Sequence, residues 1–190
     1  MTTILSAAVL GHRWGVPHPE VWNALILAFV VTAAVGDIRW RKIPRLLTTA
    51  AVAAGLIFHL VHGGLGWEFA SALIATLIAF GVGLSFFQLG AIGGGDVKLI
   101  TALGALLGLD RWIVAMEVAV LAAALIGIVQ AVRRGTLGQM LRNIGSLLKW
   151  LAGRGGMTAH PTINVRNTTM LRAPFGVAAA LGTLFAVFKP

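Results

Sequence analysis

Two aspartates are the residues of this 190-residue chain that could do chemistry. Asp37, in "VGDIRW", and Asp96, in "GGGDVKL", each lie beside glycine at the end of a long apolar segment. Ionisable groups at membrane depth are costly and usually mark function. Two carboxylates held close together cannot both ionise easily, so one keeps a proton. The ionised carboxylate can take a proton from water while the protonated one polarises a carbonyl, which is the acid–base chemistry of an aspartic protease.

Three consecutive glycines precede the second aspartate, and they fit the same chemistry. A backbone without side chains lets an extended peptide come close to the acid. A simpler interpretation exists for each acid alone: Asp96 is a helix cap, and Asp37 pairs with Arg39 or Arg41. A cap, however, needs at most one glycine and no charge. We therefore expect both aspartates to be catalytic and the glycines to admit the substrate; the glycines are Gly93, Gly94 and Gly95.

The composition indicates what must position these acids. Hydrophobic residues make up 58% of the chain, charged residues make up 11%, and the mean hydropathy is +0.90. A soluble domain needs more polar surface than this, so the chain is expected to lie in a membrane. The absence of cysteine excludes disulfides, thiol catalysis and cysteine-based metal sites. The length fits one transmembrane domain over residues 1–190.

Apolar segments of roughly membrane length recur along the chain. A spanning helix needs about 20 mostly apolar residues. The sequence predicts an all-α, polytopic membrane bundle of about six transmembrane helices, with residues 1–20 as a short lead-in outside the cytoplasm. The predicted spans are 21–36, 46–61, 69–89, 97–109, 112–132 and 174–188.

Basic residues predict the orientation of the bundle. With six spans, every lysine and arginine falls on one side of the membrane except Arg13, Arg111 and Lys189. The positive-inside rule assigns the basic side to the cytoplasm and both termini to the outside. The same topology puts Asp37 and Asp96 at one depth on the cytoplasmic side. It also accounts for the net charge of +9 without nucleic acid as a partner.

The loop 133–172 is the one sizeable polar region of the sequence. Within it, 137–151 places leucine, isoleucine and methionine on one face of a helix, and Gln139, Arg142 and Lys149 mostly on the other. This pattern is typical of an amphipathic helix that lies on a membrane surface, so membrane lipid is its expected partner.

The two aspartate motifs resemble those of the GxGD class of intramembrane aspartic proteases, most closely the bacterial type IV prepilin peptidases. The glycines and Asp96 resemble the GxGD signature, and "GDIRWRKIP", 36–44, resembles the family's other aspartate motif. The segment "LRAPFGVAAALGTL", 171–184, is similar to the start of the family's last helix, which adds Pro174 and Gly176 to the expected substrate-binding residues. In this family Asn often follows Ile-Pro, whereas this chain has Arg45.

The resemblance implies an aspartic endopeptidase of the bacterial inner membrane. Its substrate would be a pilin-like precursor with a basic leader and a hydrophobic helix, cut at the cytoplasmic face without a metal or other cofactor. Larger members carry a cysteine-rich domain and also methylate the product. This chain resembles the short, protease-only form found with tight-adherence (Flp-type) pili, so we do not expect methylation.

Two further interpretations use the same residues. A small transporter or channel could employ Asp37 and Asp96 as a proton or cation site, although the chain lacks the internal repeat that many transporters have. An assembly factor without catalysis would make both acids structural. A metal site at His59 and His62 is not expected. Both lie near the external end of the second predicted span, and no third ligand is nearby on that side of the membrane.

Overall fold

The computed structural model describes residues 19–40, 44–152 and 175–188, and all the regular structure in these ranges is helical. Four of the helices are long and apolar enough to cross a membrane, and a fifth, at the end of the chain, is apolar but shorter. The predicted helical membrane bundle is therefore confirmed. In chain order the helices are α1 (Pro19–Trp40), α2 (Arg45–Gly63), α3 (Trp67–Gln88), α4 (Gly94–Arg133), α5 (Leu137–Ala152) and α6 (Phe175–Phe188).

Helix α4 is two helical arms joined at a sharp bend. Its 40 residues would extend about 60 Å if straight, which is twice the hydrocarbon thickness of a bilayer. Gly108 interrupts it with φ 72° and ψ 174°, a backbone conformation that glycine adopts readily. The arms 94–107 and 109–133 correspond to the predicted spans 97–109 and 112–132. The sequence predicts a loop between these spans, whereas the structure makes the reversal at this bend.

Side chains from three helices pair the backbone groups that the bend leaves without helical partners. Trp22 Nε1 of α1 donates to the carbonyl oxygen of Leu106 over 3.3 Å. His59 Nε2 of α2 lies 3.4 Å from the same oxygen. On the other side of Gly108, the backbone N–H of Leu109 donates to Ser71 Oγ of α3 over 2.8 Å. The bend is therefore a fixed part of the packing, and it defines what we call the bend end of the bundle.

The contacts of α6 show where the second arm of α4 runs. Gly176, in the first turn of α6, lies against Asp37, which is 15 residues along α1 from the Trp22 that touches the bend. Later on α6, Gly182 lies against the backbone of Ala115 and Ala119. The second arm therefore leaves the bend end and returns along the bundle beside α6.

Small residues let the helices pack closely. A methyl group on Gly104 of α4 would lie 2.8 Å from the carbonyl oxygen of Ala75 on α3, and one on Gly55 of α2 would lie 2.5 Å from that of Ala105. Such close backbone approach is the usual way that membrane helices associate. The larger core side chains fill the space around these contacts; the most buried are Ile26, Val30, Leu99, Leu103 and Leu107.

Helix α5 follows a turn at Gly135 and covers the predicted amphipathic segment 137–151 with one residue more at its end. Leu137, Leu141 and Ile144 on it are exposed. Residues 1–18 of the predicted lead-in, Pro174 and the loop beyond α5 lie outside the described residues, and Pro19 and Glu20 begin α1.

Candidate active site

Asp37 and Asp96 lie at the same end of the bundle, on two different helices. Asp37 is near the end of α1, and Asp96 is in the first turn of α4. Each of these helices touches the bend end with its other extremity, α1 through Trp22 and the first arm of α4 through Leu106. Both side chains are only partly exposed. We call this end of the bundle the acid end.

The carboxylate of Asp96 is held by the backbone that precedes its helix. Gly93 is the N-cap of α4, and its N–H donates to Asp96 Oδ2 over 3.0 Å. This is the acidic half of a capping box, in which the third helical residue reaches back to the N-cap. The sequence suggests Asp96 as the N-cap residue, whereas in the structure the N-cap is Gly93, three residues earlier. The contact fixes the carboxylate against the turn that contains the glycines.

The carboxylate of Asp37 is held by the last helix. The N–H of Gly176 donates to Asp37 Oδ2 over 2.8 Å, although 139 residues separate the two in sequence. A methyl group on Gly176 would lie 2.9 Å from Asp37 Cβ and 3.3 Å from the Cα of Ala34. Gly176 is itself buried. The start of α6 thus packs directly onto the acid, and only glycine fits there.

The other glycines of the motif have more room. Gly94 is exposed, and a methyl group on it would lie 3.6 Å from the ring of Phe87, which is an ordinary contact. Gly95 has a helical backbone within α4. The remaining residue of the predicted substrate-binding set, Pro174, is outside the ranges that the structure covers.

The histidines of α2 have contacts at the bend end, remote from the acids. His59 is buried beside Leu106, and His62 Nδ1 lies 2.9 Å from the carbonyl oxygen of Phe58. Across the residues of known placement, no three acidic or histidine side chains cluster as metal ligands would.

Comparison with known proteins bears directly on these residues. The sequence model of the type IV leader peptidase family matches residues 24–128, which is more than half of the chain and includes both aspartates. The chain belongs to the type IV leader peptidase family. The match ends before α6, so Gly176 is outside the part of the chain that shows membership.

One relative within this family illustrates the extent of the likeness. A prepilin leader peptidase/N-methyltransferase of Pectobacterium carotovorum subsp. carotovorum is 33% identical over 138 residues. The alignment covers 67% of this chain but 46% of that protein, so this chain spans less than half of the relative's length. No solved structure matches the chain.

Sequence reasoning placed both acids at one end but missed what holds them. The N–H donors from Gly93 and Gly176 are backbone groups, which the sequence does not distinguish from other glycines. One sequence feature could have indicated these contacts, because glycine occurs near the start of two predicted apolar segments. That signal led to a prediction of substrate contacts, whereas the structure places these two glycines against the carboxylates.

Proposed function

We propose that this chain is an intramembrane aspartic endopeptidase that removes the leader peptide from type IV pilin-like precursors. The observation that carries the proposal is the pair Asp37 and Asp96, brought from two helices to one end of the bundle and each held there by a backbone N–H. Membership of the type IV leader peptidase family supports the substrate class. The name of the Pectobacterium relative supports it as well.

The proposed reaction is a general acid–base hydrolysis. One carboxylate takes a proton from a water molecule, whose oxygen then attacks the carbonyl carbon of the scissile peptide bond. The other carboxylic acid donates its proton to the carbonyl oxygen, which would otherwise carry the developing negative charge. When the tetrahedral gem-diol intermediate collapses, the C–N bond breaks and the leaving nitrogen takes a proton from the first carboxyl group, which had accepted it from water. One hydroxyl group of the intermediate returns its proton to the second carboxylate as the new carboxyl group forms. The pair then shares one proton again, as in other aspartic proteases.

The surroundings of the acids suit such a reaction. Each Oδ2 accepts one backbone N–H, from Gly176 or from Gly93, so neither side chain rotates freely. Carboxylates held by their surroundings need less reorganisation in the transition state than mobile ones. The exposed Gly94 provides a side of the site without a side chain, where an extended peptide could lie.

We assign the acid end to the cytoplasmic side of the bacterial inner membrane. The support is the asymmetry of basic residues in the sequence. A pilin-like precursor would then present its basic leader to the acids while its hydrophobic helix stays in the bilayer. The proposal covers cleavage alone, because the N-methyltransferase in the relative's name belongs to a protein more than twice the aligned length.

Co-expression tests the proposal. A pilin-like precursor with an epitope tag at its C-terminus is produced with or without this chain, and the product is sized on a gel and its N-terminus determined by mass spectrometry. The expected product lacks the basic leader and starts just before the hydrophobic helix. A precursor of unchanged mass, with the chain present in the membrane fraction, would reject the function. A precursor whose hydrophobic helix is replaced by a soluble sequence is the matched control, and it should stay intact.

A further inference from the structure

We propose that Gly93 and Gly176 are positioning residues, each of which orients one catalytic carboxylate, and that Gly94 is the glycine that faces the substrate. This inference rests on the proposed function. It divides the glycines that the sequence groups together as substrate-binding into two sets with different effects on catalysis.

The first observation concerns Gly176 and the space beside Asp37. The N–H of Gly176 holds Oδ2 at 2.8 Å, and a methyl group on this glycine would lie 3.0 Å from the same oxygen. It would also meet the Cα of Ala34 at 3.3 Å, which is backbone and cannot turn away as a side chain can. An alanine at this position must therefore push α6 and the carboxylate apart. Because Gly176 is buried against α1, its surface is already occupied and is not open to a peptide.

The second observation concerns Gly93, whose backbone conformation does not require glycine. Its φ of −82° and ψ of 158° are extended values that any residue adopts. A methyl group there would lie 3.3 Å from Asp96 Oδ2, the atom that the Gly93 N–H binds at 3.0 Å. The feature that glycine supplies is therefore the space in which the carboxylate reaches its donor. Gly93 and Gly176 have the same relation to different acids.

The third observation concerns Gly94, which has neither of these constraints. It is exposed, begins α4, and has room for a methyl group next to Phe87. A helical position of this kind favours alanine over glycine for stability. Neither packing nor backbone conformation explains the glycine. A peptide backbone that passes close to the helix start does explain it.

The two sets differ in the kinetic constant that they control. A displaced carboxylate binds the precursor as before but is misplaced for proton transfer, so kcat falls while KM changes little. A methyl group at the substrate surface weakens binding of the precursor, so KM rises. The matched control is Ala186→Gly, which loosens the core packing of α6 ten residues, or about 15 Å, away from Gly176.

The test measures kcat and KM for cleavage of a purified pilin precursor by the full chain in lipid vesicles. Gly93→Ala and Gly176→Ala are expected to lower kcat at least about tenfold with KM within about twofold. Gly94→Ala is expected to raise KM with kcat largely kept. The positioning role is overturned if either of the first two variants keeps its kcat, or if Ala186→Gly loses as much kcat at an equal loss of melting temperature.

A double-mutant cycle tests the Gly176 contact without any cleavage assay. Melting temperatures are measured in detergent for Gly176→Ala, Asp37→Gly and the double variant. Since Asp37→Gly removes the Cβ and Oδ2 that the new methyl would meet, Gly176→Ala should cost less in that background than in the wild type. Equal costs in both backgrounds would contradict the contact itself. An unequal cost in a chain that cleaves no precursor would leave the contact standing and reject the proposed function together with the positioning role that depends on it.

Discussion

Leu109 donates its backbone N–H to Ser71 Oγ over 2.8 Å, and this bond joins α3 to the bend of α4. The donor is one of the first groups of the second arm, which has no helical acceptor because Gly108 breaks the ladder of hydrogen bonds. Ser71 is 2% exposed, so water does not readily replace its hydroxyl group. The Ser71 hydroxyl thus supplies the acceptor for this N–H at the point where the chain reverses.

Removal of this hydroxyl should destabilise the bundle. We expect Ser71→Ala to lower the free energy of unfolding by about 1–3 kcal/mol, the cost of a buried N–H left without an acceptor. The measurement is thermal or denaturant unfolding in detergent. The control is Ser85→Ala on the same helix, because the Ser85 hydroxyl donates only to the carbonyl of Gly81 one turn earlier. Equal effects of the two substitutions would show that the bend does not depend on Ser71.

The sequence predicts the helices of this bundle well because long apolar segments have few alternatives in a membrane. It predicts the bend less well. The segment 97–109 appears too short to span, and the charged pair that follows it suggests a loop. In the structure the chain instead reverses at Gly108. The backbone groups that lack a helical partner at this bend are hydrogen-bonded by side chains up to 84 positions away in sequence. Such distant partners are not visible in local sequence.

Close packing of α3 and α4 should also be measurable. Gly104→Ala places a methyl group 2.8 Å from the carbonyl oxygen of Ala75. Because the contacted atoms are backbone atoms, they cannot rotate away as a flexible side chain can. We expect a loss of about 1–3 kcal/mol in unfolding free energy, as for other overpacked cores. Gly127→Ala on the second arm is the matched control, because a methyl group there meets nothing within 4 Å. It should be neutral or slightly stabilising, since alanine favours the helix, and a larger loss from Gly127→Ala would contradict the packing.

The orientation in the membrane can be tested because the chain has no cysteine. Leu65→Cys, between α2 and α3, and Gln139→Cys, on α5, both introduce a thiol at an exposed position. A membrane-impermeant maleimide added to spheroplasts should label the first and not the second. After the membrane is permeabilised, both should react. The reverse pattern would put the acid end outside the cytoplasm and contradict the proposed site of cleavage.

The two acidic residues of the site could be predicted from the sequence, but the contacts that hold them could not. Two carboxylates in a chain with six acidic residues, both beside glycine and both at the end of an apolar segment, are distinctive in sequence. The different surroundings of the glycines are not, because they depend on distances of about 3 Å, between α6 and α1 at Gly176 and within the first turn of α4 at Gly93. Gly176 illustrates this, since its contact with Asp37 joins two residues that are 139 positions apart in sequence.

We expect Asp37 and Asp96 to act together in catalysis, and substitution of each by asparagine separates this role from a structural one. Asn keeps the shape of the side chain but can neither ionise nor hold the shared proton. The measurement is the rate of precursor cleavage by purified wild type, Asp37→Asn, Asp96→Asn and Asp110→Asn in lipid vesicles. Asp110 is the control, because it is exposed and lies on α4 two residues after Gly108, at the bend end of the bundle. We expect each of the first two variants to stay folded and to lose cleavage by at least about a thousandfold, while Asp110→Asn cleaves like the wild type. Cleavage at the wild-type rate by either Asp37→Asn or Asp96→Asn would contradict this expectation.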